Sequence, residues 1–471
     1  MSLSSSYNPK PHVVLFPFMS KGHTIPLLHL ARLLLPHGAT VTLFTTPANR
    51  PSVVQFISDD DITIVDLPFP PNIPEVPPGI ESTDKLPSIS LFLPFARATK
   101  LMQPYFENVL KTLPLVTCII SDQFLHWTLE SAMKFGIPRL GFNGMSIYAS
   151  ALSREAAVNG LLSTNESSDE PFALTSFPWI KLTRNDFDYP FNKRDPSGPL
   201  LDFLMETTIA LCNSYGQLVN SFHELEPQFV DYWNRESKPK AFLVGPLCLN
   251  LSPETKPNLH QEYCRCIHWL DQKLRQGRPV LYIAFGSQAE ISPEQLSEIA
   301  GGLEESEVSF LWVVRNGGIQ LGDKFEERIK ERGMVVKEWV DQRRILEHEI
   351  VQGFLSHCGW NSVLESICAE VPILARPMMA EQQLNARMVV EEIKIGLRVE
   401  TINGSGNGFV ESKSLKNKVK ELMEGEKRNE LRKNVKEVAE MARNSMKEGG
   451  SSWLTLNQLI REIYLQQDRQ K

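Results

Sequence analysis

A chain of 471 residues, 42% hydrophobic and 22% charged, has the balance of a water-exposed protein with ordinary apolar cores, and its length exceeds what one core usually organises, so two domains are expected. A formal net charge of −7 speaks against nucleic acid or an anionic membrane surface as the main partner. No apolar run is long enough to span a bilayer and the N-terminus, MSLSSSYNPK, lacks the basic start and apolar core of a secretory signal, so a cytoplasmic, monomeric protein with no membrane span is expected.

In chain order, residues 12–18 read as a short buried strand and 26–35 as a helix with Leu and Ala at helical spacing. The loop between them carries Lys21, Gly22 and His23, and an open α/β sheet binds its ligands at such loops, beyond the carboxyl ends of the strands. A helix start disfavours the imidazolium, so His23 is expected to be neutral and able to accept a proton, although a lone loop histidine often does nothing more than face water. Further strands are expected at 40–44, 116–120 and 139–142, which makes the first half a doubly wound parallel sheet. Asp122 follows the 116–120 strand and so falls on the same rim as His23. A carboxylate there can hold one imidazole nitrogen and stabilise the charge formed when the other takes a proton; the alternative is an aspartate that opens the next helix. Residues 68–78 are too proline-rich for either element. Phe92, Phe95, Phe124, Trp127, Phe142, Met145, Phe187 and Tyr189 are candidate walls for an apolar ligand, alongside the plainer role of core packing. Asp59, Asp60 and Asp61, and the pair Asp186 and Asp188, have the form of metal-binding carboxylates, but their loop-like setting reads as solvated, and no metal is expected.

Residues 213–222 read as a strand and turn leading to Glu224, Leu225, Glu226 and Pro227, and 246–262 turn polar and proline-bearing, the mark of a linker between domains at 1–245 and 263–451. The seven cysteines show no paired framework and are expected as free thiols; Cys264 and Cys266 lack the further ligands a metal would need. The second half opens with a strand at 280–285 followed by Gly286 and Ser287, which suit close approach to a phosphate, and a helix from Pro293. Neither a P-loop nor a G-x-G-x-x-G run is present, so ATP and NAD readings lose their main support. Strands at 310–314, 334–336, 353–355 and 372–375 complete a second Rossmann-like half. The 353–355 strand runs into His357, Cys358, Gly359 and Trp360, and a helix begins at Asn361 and Ser362 with Val363, Leu364 and Ile367 as its buried stripe. Free backbone N–H groups, a partial positive charge and side-chain donors together suit a phosphate, though an ordinary capped helix would begin the same way. Trp339 could stack on a base, Glu365 accept ribose hydroxyls, and Glu381 with Gln382 grip a polyol. Residues 412–447 read as one charged helical segment ended by Gly449 and Gly450, and a last amphipathic helix over 452–471 carries Trp453, Leu456, Leu459, Ile460 and Ile463.

The stretch from 339 to 382, with its tryptophan, glutamine, His-Cys-Gly-Trp-Asn-Ser run, glutamate and acidic-Gln ending, resembles the signature box of plant secondary-product glycosyltransferases, which move a sugar from a UDP-sugar to a small acceptor. The resemblance implies a GT-B fold, two Rossmann-like domains with parallel sheets facing across a cleft, with the last helix crossing back to the first domain. It implies that Trp339 stacks on uracil, that Val340 and Gln342 secure the nucleoside, that Glu365 takes the ribose hydroxyls, that Ser287, His357, Asn361 and Ser362 hold the diphosphate, and that Trp360, Glu381 and Gln382 hold the sugar. Gly22 and His23 resemble the family's catalytic histidine motif and Ser121 to Phe124 its paired aspartate; Gly144, Met145 and Ser146 resemble a segment near the donor sugar. The implied reaction is inverting transfer, with glucose the donor sugar suggested by Gln382, UDP-glucose as co-substrate, no cofactor, and a small hydroxylated acceptor: a phenol or flavonoid, with terpenoids or hormones also open. Acceptor contacts are expected from Phe92, Phe124, Phe142, Met145, Ser146 and Phe187. A UDP-sugar epimerase and a catalytically silent UDP-sugar-binding protein are the rival readings. Two residues depart from the pattern: Glu370 stands where glycine is usual and Arg376 where tryptophan is common.

Overall fold

The computed structural model describes residues 10–57, 61–164, 166–250, 261–314, 324–402 and 408–469. Asp59, Asp60 and most of the expected linker, 251–260, lie outside the described residues. Strands β1 (His12–Phe16), β2 (Thr40–Thr45), β3 (Ile62–Asp66), β4 (Cys118–Asp122) and β5 (Arg139–Asn143) are followed by a small antiparallel pair, β6 (Phe172–Ala173) and β7 (Lys181–Leu182), and then by β8 (Gly216–Val219) and β9 (Ala241–Leu243). All but the small pair form one sheet in the order β3-β2-β1-β4-β5-β8-β9, parallel throughout. The second half repeats the plan with β10 (Val280–Ala284), β11 (Ser309–Val313), β12 (Gly333–Val336), β13 (Val351–Ser356), β14 (Ile373–Ala375) and β15 (Gly396–Arg398), in the parallel order β12-β11-β10-β13-β14-β15.

In each sheet the chain winds outward one way from the first strand and then returns to wind the other, so strand order reverses at β1/β4 and at β10/β13. The loops beyond those strand ends splay apart and leave a crevice. The central strands β1, β4, β5, β8 and β10 are buried along their whole length, the mark of a sheet covered by helices on both faces.

Three edge strands, β3, β9 and β15, have no counterpart in the sequence expectations. Two of them are only three residues long, and β3 is partly exposed, so none shows a usable period. Residues expected in the linker are partly ordered structure: Leu247 and Cys248 are buried on a short turn against the first half, and the helix Gln261–Arg275 begins inside the expected span. The single charged segment expected over 412–447 is two helices, Ser412–Glu424 and Arg428–Met446, because Gly425 stops the first. The last helix, Ser451–Arg469, places Leu456, Leu459 and Ile463 in the core that also holds Val13, Leu43 and Leu140 of the first sheet. Among the described residues no helix is long and apolar enough to cross a membrane.

Candidate active site

The helix Lys21–Leu34 begins five residues before the helix expected over 26–35, so that it takes in Gly22 and His23, and it carries Pro26 inside its second turn. A proline has no N–H to give to the carbonyl four residues back, so the Gly22 carbonyl is released from the usual helical bond. Asn361 of the second half donates its Nδ2 to that carbonyl at 2.5 Å. The next residue, His23, presents Nδ1 to Asp122 Oδ2 at 2.7 Å. Asp122 ends β4, is fully buried, and accepts the Phe124 N–H on its other oxygen at 2.9 Å, so both carboxylate oxygens are occupied. Burial works against a charged imidazole, but the charge and hydrogen bond of Asp122, with a further contribution from the Glu381 charge, outweigh it and leave the His23 pKa above its ordinary value. With Nδ1 committed, Nε2 is the ring nitrogen left for proton transfer. The two residues are adjacent because β1 and β4 pair in parallel at the switch point.

The opposite wall comes from β10, β13 and the loops after them. Gly286, with φ of 82°, and Gly359 flank His357 so tightly that a Cβ on either would stand 2.8 Å and 2.5 Å from its Nε2. The helix Trp360–Cys368 starts at Gly359 with no side chain capping its N-terminus. Gln342 donates to Ser362 Oγ at 2.8 Å and to Glu365 Oε2 at 2.7 Å, so the nucleoside and diphosphate candidates form one connected network. Burial pushes the Glu365 carboxyl up to about 7, against the pull of the Gln342 amide. Trp339 remains 38% exposed, with the Lys21 ammonium 5.2 Å from its ring centroid, and Val340 is buried beside it. Glu381 is raised by burial, relieved in part by its own N–H, by Asn385 at 3.2 Å and by His23. The Gln382 side-chain oxygen accepts the N–H groups of Met378 and Met379 at 2.9 and 3.0 Å.

The two walls enclose a cleft of about 1910 Å³ into which His23, Ser287, Trp339, Val340, Gln342, His357, Trp360, Asn361, Ser362, Glu365, Glu381 and Gln382 all open. That exceeds what a single drug-sized ligand fills and leaves room for two molecules side by side. Of the expected acceptor contacts, Phe92, Phe124, Met145 and Phe187 line it, as does Tyr189. Phe18 joins them, with its ring centroid 5.7 Å from that of His23, and Phe124 lies 5.2 Å away, so the base candidate sits in an aromatic collar.

Four relationships of sequence and structure place the chain among known proteins. A family model described as UDP-glucoronosyl and UDP-glucosyl transferase matches residues 269–443. UDP-glycosyltransferase 90A1 of Arabidopsis thaliana is 53% identical over 99% of this chain and 99% of its own length. The chain belongs to the plant UDP-glycosyltransferases. Among solved structures of this family, Glycyrrhiza uralensis UGT73P12, complexed with glycyrrhetinic acid 3-O-monoglucuronide, superposes with a TM-score of 0.86 at 29% identity over 98% of both chains. Phytolacca americana UGT2, complexed with UDP-2fluoro-glucose and pterostilbene, superposes with 0.79 at 28% identity over 96% of this chain and 99% of its own. The two facing parallel sheets are the GT-B fold of these glycosyltransferases.

Several expected contacts of the glycosyltransferase site fall elsewhere. Phe142 is wholly buried in the first core, and Phe95 and Trp127 likewise pack inside; the inward faces of a parallel strand and the helices over it claim them. Ser146 is also buried: it caps the helix Ile147–Val158 through the Ala149 N–H and donates to Asn385 Oδ1 at 3.1 Å, so it braces the cleft from behind. Trp360 does line the cleft, but its indole is buried and its N–H is taken by the Asn220 carbonyl at 2.7 Å, so the ring fastens the halves together. Asp186 is not solvated: it is buried, closes a capping box with Thr183 and faces Arg387 at 3.4 Å, while Asp188 accepts the Ala380 N–H at 2.5 Å. Asn385 escaped the sequence reading although its spacing of four from Glu381 on one helix face would have found it. Gln288 escaped too. It reaches Thr83 Oγ1 at 2.5 Å across the cleft, and nothing local announces that. Of the two departures, Glu370 does adopt a glycine-like φ of 59°, and its carboxylate meets Arg443 at 2.8 Å. Arg376 is buried, bonded to the carbonyls of Pro377 and Gly408, and pulled down to about 10 by burial and by Arg398.

Proposed function

We propose that this enzyme transfers glucose from UDP-glucose to a hydroxyl of a small phenolic or flavonoid acceptor, inverting the anomeric centre to give a β-glycoside. The observation that carries this reading is the 2.7 Å bond between His23 Nδ1 and Asp122 Oδ2 at the mouth of an aromatic pocket, directly opposite an uncapped helix N-terminus. His23 Nε2 takes the proton from the acceptor hydroxyl as the oxygen attacks the anomeric carbon, and Asp122 stabilises the imidazolium. The backbone N–H groups at the start of the helix Trp360–Cys368, with Ser287, His357, Asn361 and Ser362, receive the charge of the departing UDP, so the step needs no metal or cofactor. Trp339, Gln342 and Glu365 hold the nucleoside, and Glu381 and the Gln382 amide hold the sugar. UDP-2fluoro-glucose in the Phytolacca americana neighbour supports a glucosyl donor, and pterostilbene there supports a phenolic acceptor. A cytoplasmic monomer is the form in which we expect it to act.

The test is incubation with UDP-glucose and a panel of phenols, following glycoside mass and UDP release together. Glycoside formation with stoichiometric UDP supports the proposal. UDP or an isomerised sugar nucleotide without glycoside would mark a hydrolase or epimerase, and tight UDP-glucose binding with no product a silent binder.

A further inference from the structure

Behind the His23–Asp122 pair lies a cation that the transfer chemistry does not use. Arg139, at the start of β5, is 1% exposed. Its side chain runs under β5 towards the end of β4 through a notch left by Gly141, where a Cβ would stand 3.4 Å from Arg139 Nη1 and 2.3 Å from Leu211 Cδ1. Among the described residues its hydrogen-bond partners are all neutral: Nε donates to Ser121 Oγ at 2.9 Å and Thr128 Oγ1 at 3.1 Å, Nη1 to Ser214 Oγ at 2.7 Å, and Nη2 to the Asp122 main-chain carbonyl at 3.2 Å. A guanidinium removed from water is costly unless an anion faces it, and hydroxyls do not supply one. Asp122 is the anion whose charge favours the charged form of Arg139, while burial pulls that form down to about 10.

We propose that Arg139 is the positioning residue of the dyad: it fixes the Asp122 main chain through Nη2 and places a buried positive charge behind the carboxyl group that faces His23. The inference rests on His23 acting as the base, and it accounts for a wholly buried aspartate whose oxygens meet, among the described residues, one imidazole and one N–H. The charged and titratable groups around the assembly are few. Asp122 comes from β4 and Glu381 from the second half, both acting on His23; His126 lies on the far side, lowered by burial, raised by Glu206 and lowered by Lys100 and Arg139.

The experiment compares Arg139→Lys with Arg139→Gln and Arg139→Met, reading the pH midpoint of kcat/KM and, by NMR, the titration of the His23 ring in the same proteins without substrate. Melting temperature and UDP affinity serve as fold controls. The neutral variants are expected to move both midpoints up by roughly half a pH unit or more, because a cation taken from beside the dyad no longer opposes its protonation, and to lower kcat about tenfold, with Arg139→Lys staying close to the parent. If Arg139→Met does not fold, the Gln and Lys pair carries the same comparison. Coincident His23 midpoints in the Lys and Gln proteins would overturn the proposal and leave Arg139 a packing residue. The NMR midpoint is independent of turnover, so an active His23→Ala enzyme would sink the base assignment while leaving this measurement to stand or fall separately.

Discussion

His23 shows how one residue answers to two pH requirements of opposite sign. Its folded pKa lies above the ordinary 6.5, so its pairing with Asp122 contributes stability that is fully present below that value and fades as pH rises through the folded one. Catalysis needs the neutral ring, so kcat/KM is expected to climb through the same folded value. Asp122→Asn removes the largest raising influence; its limb should appear at lower pH, with kcat reduced by about 10²–10⁴, and an unshifted limb would contradict the pairing. His23→Ala should abolish transfer and leave UDP affinity, measured by calorimetry, within about twofold. Glu370 is a second residue-scale case. Its left-handed backbone costs about 1 kcal/mol, which the exposed Arg443 ion pair only partly offsets, so Glu370→Gly should raise the melting temperature slightly, and a lower one would show that the ion pair outweighs the strain. Both positions were legible in the sequence: His23 and Asp122 because strand ends of a parallel sheet share a rim, Glu370 because it interrupts an expected glycine.

At the scale of elements, the strand-turn-helix that holds the diphosphate candidates depends on space as much as on donors. Gly359 has an ordinary negative φ, so its need for glycine comes from the His357 ring rather than from the backbone. Gly359→Ala should push His357 aside and cost roughly ten- to hundredfold in kcat/KM for UDP-glucose, while circular dichroism stays unchanged; full activity would mean that His357 does not matter where it stands. The motif around it was readable because apolar strand, tight turn and amphipathic helix follow one another in a few residues. The acceptor wall was not. An aromatic on a helix or strand looks the same in sequence whether it turns to the cleft, as Phe92 and Phe124 do, or to the core, as Phe95 and Phe142 do, and only the packing of distant elements decides. Short edge strands such as β15 escaped for a related reason, since three residues carry no period.

The whole molecule is two sheets joined by contacts that no local pattern encodes. Leu459, on the last helix, is 2% exposed in the core of the first sheet, so Leu459→Ala should destabilise the protein by about 2–5 kcal/mol in chemical denaturation, although it lies far from the cleft in sequence. The halves also share an apolar seam, in which Trp360, Val363 and Leu364 join one core with Ile147, Tyr148 and Phe229, and polar bonds through Trp360, Asn361, Gln288 and Asp188 supplement it. Pro26 belongs to this scale. Pro26→Ala would restore an N–H to compete for the Gly22 carbonyl, and the expected result is a weaker apparent affinity for UDP-glucose with little change in melting temperature.

The carbonyl that Pro26 sets free is therefore a point of thermodynamic linkage. Asn361 stands among the diphosphate candidates of one domain and touches the residue beside the proposed base in the other. Free energy spent moving either side is felt at both, and by the same factor: a donor that draws Asn361 into place fixes the loop of His23, and an acceptor that settles on His23 returns an equal gain in donor affinity.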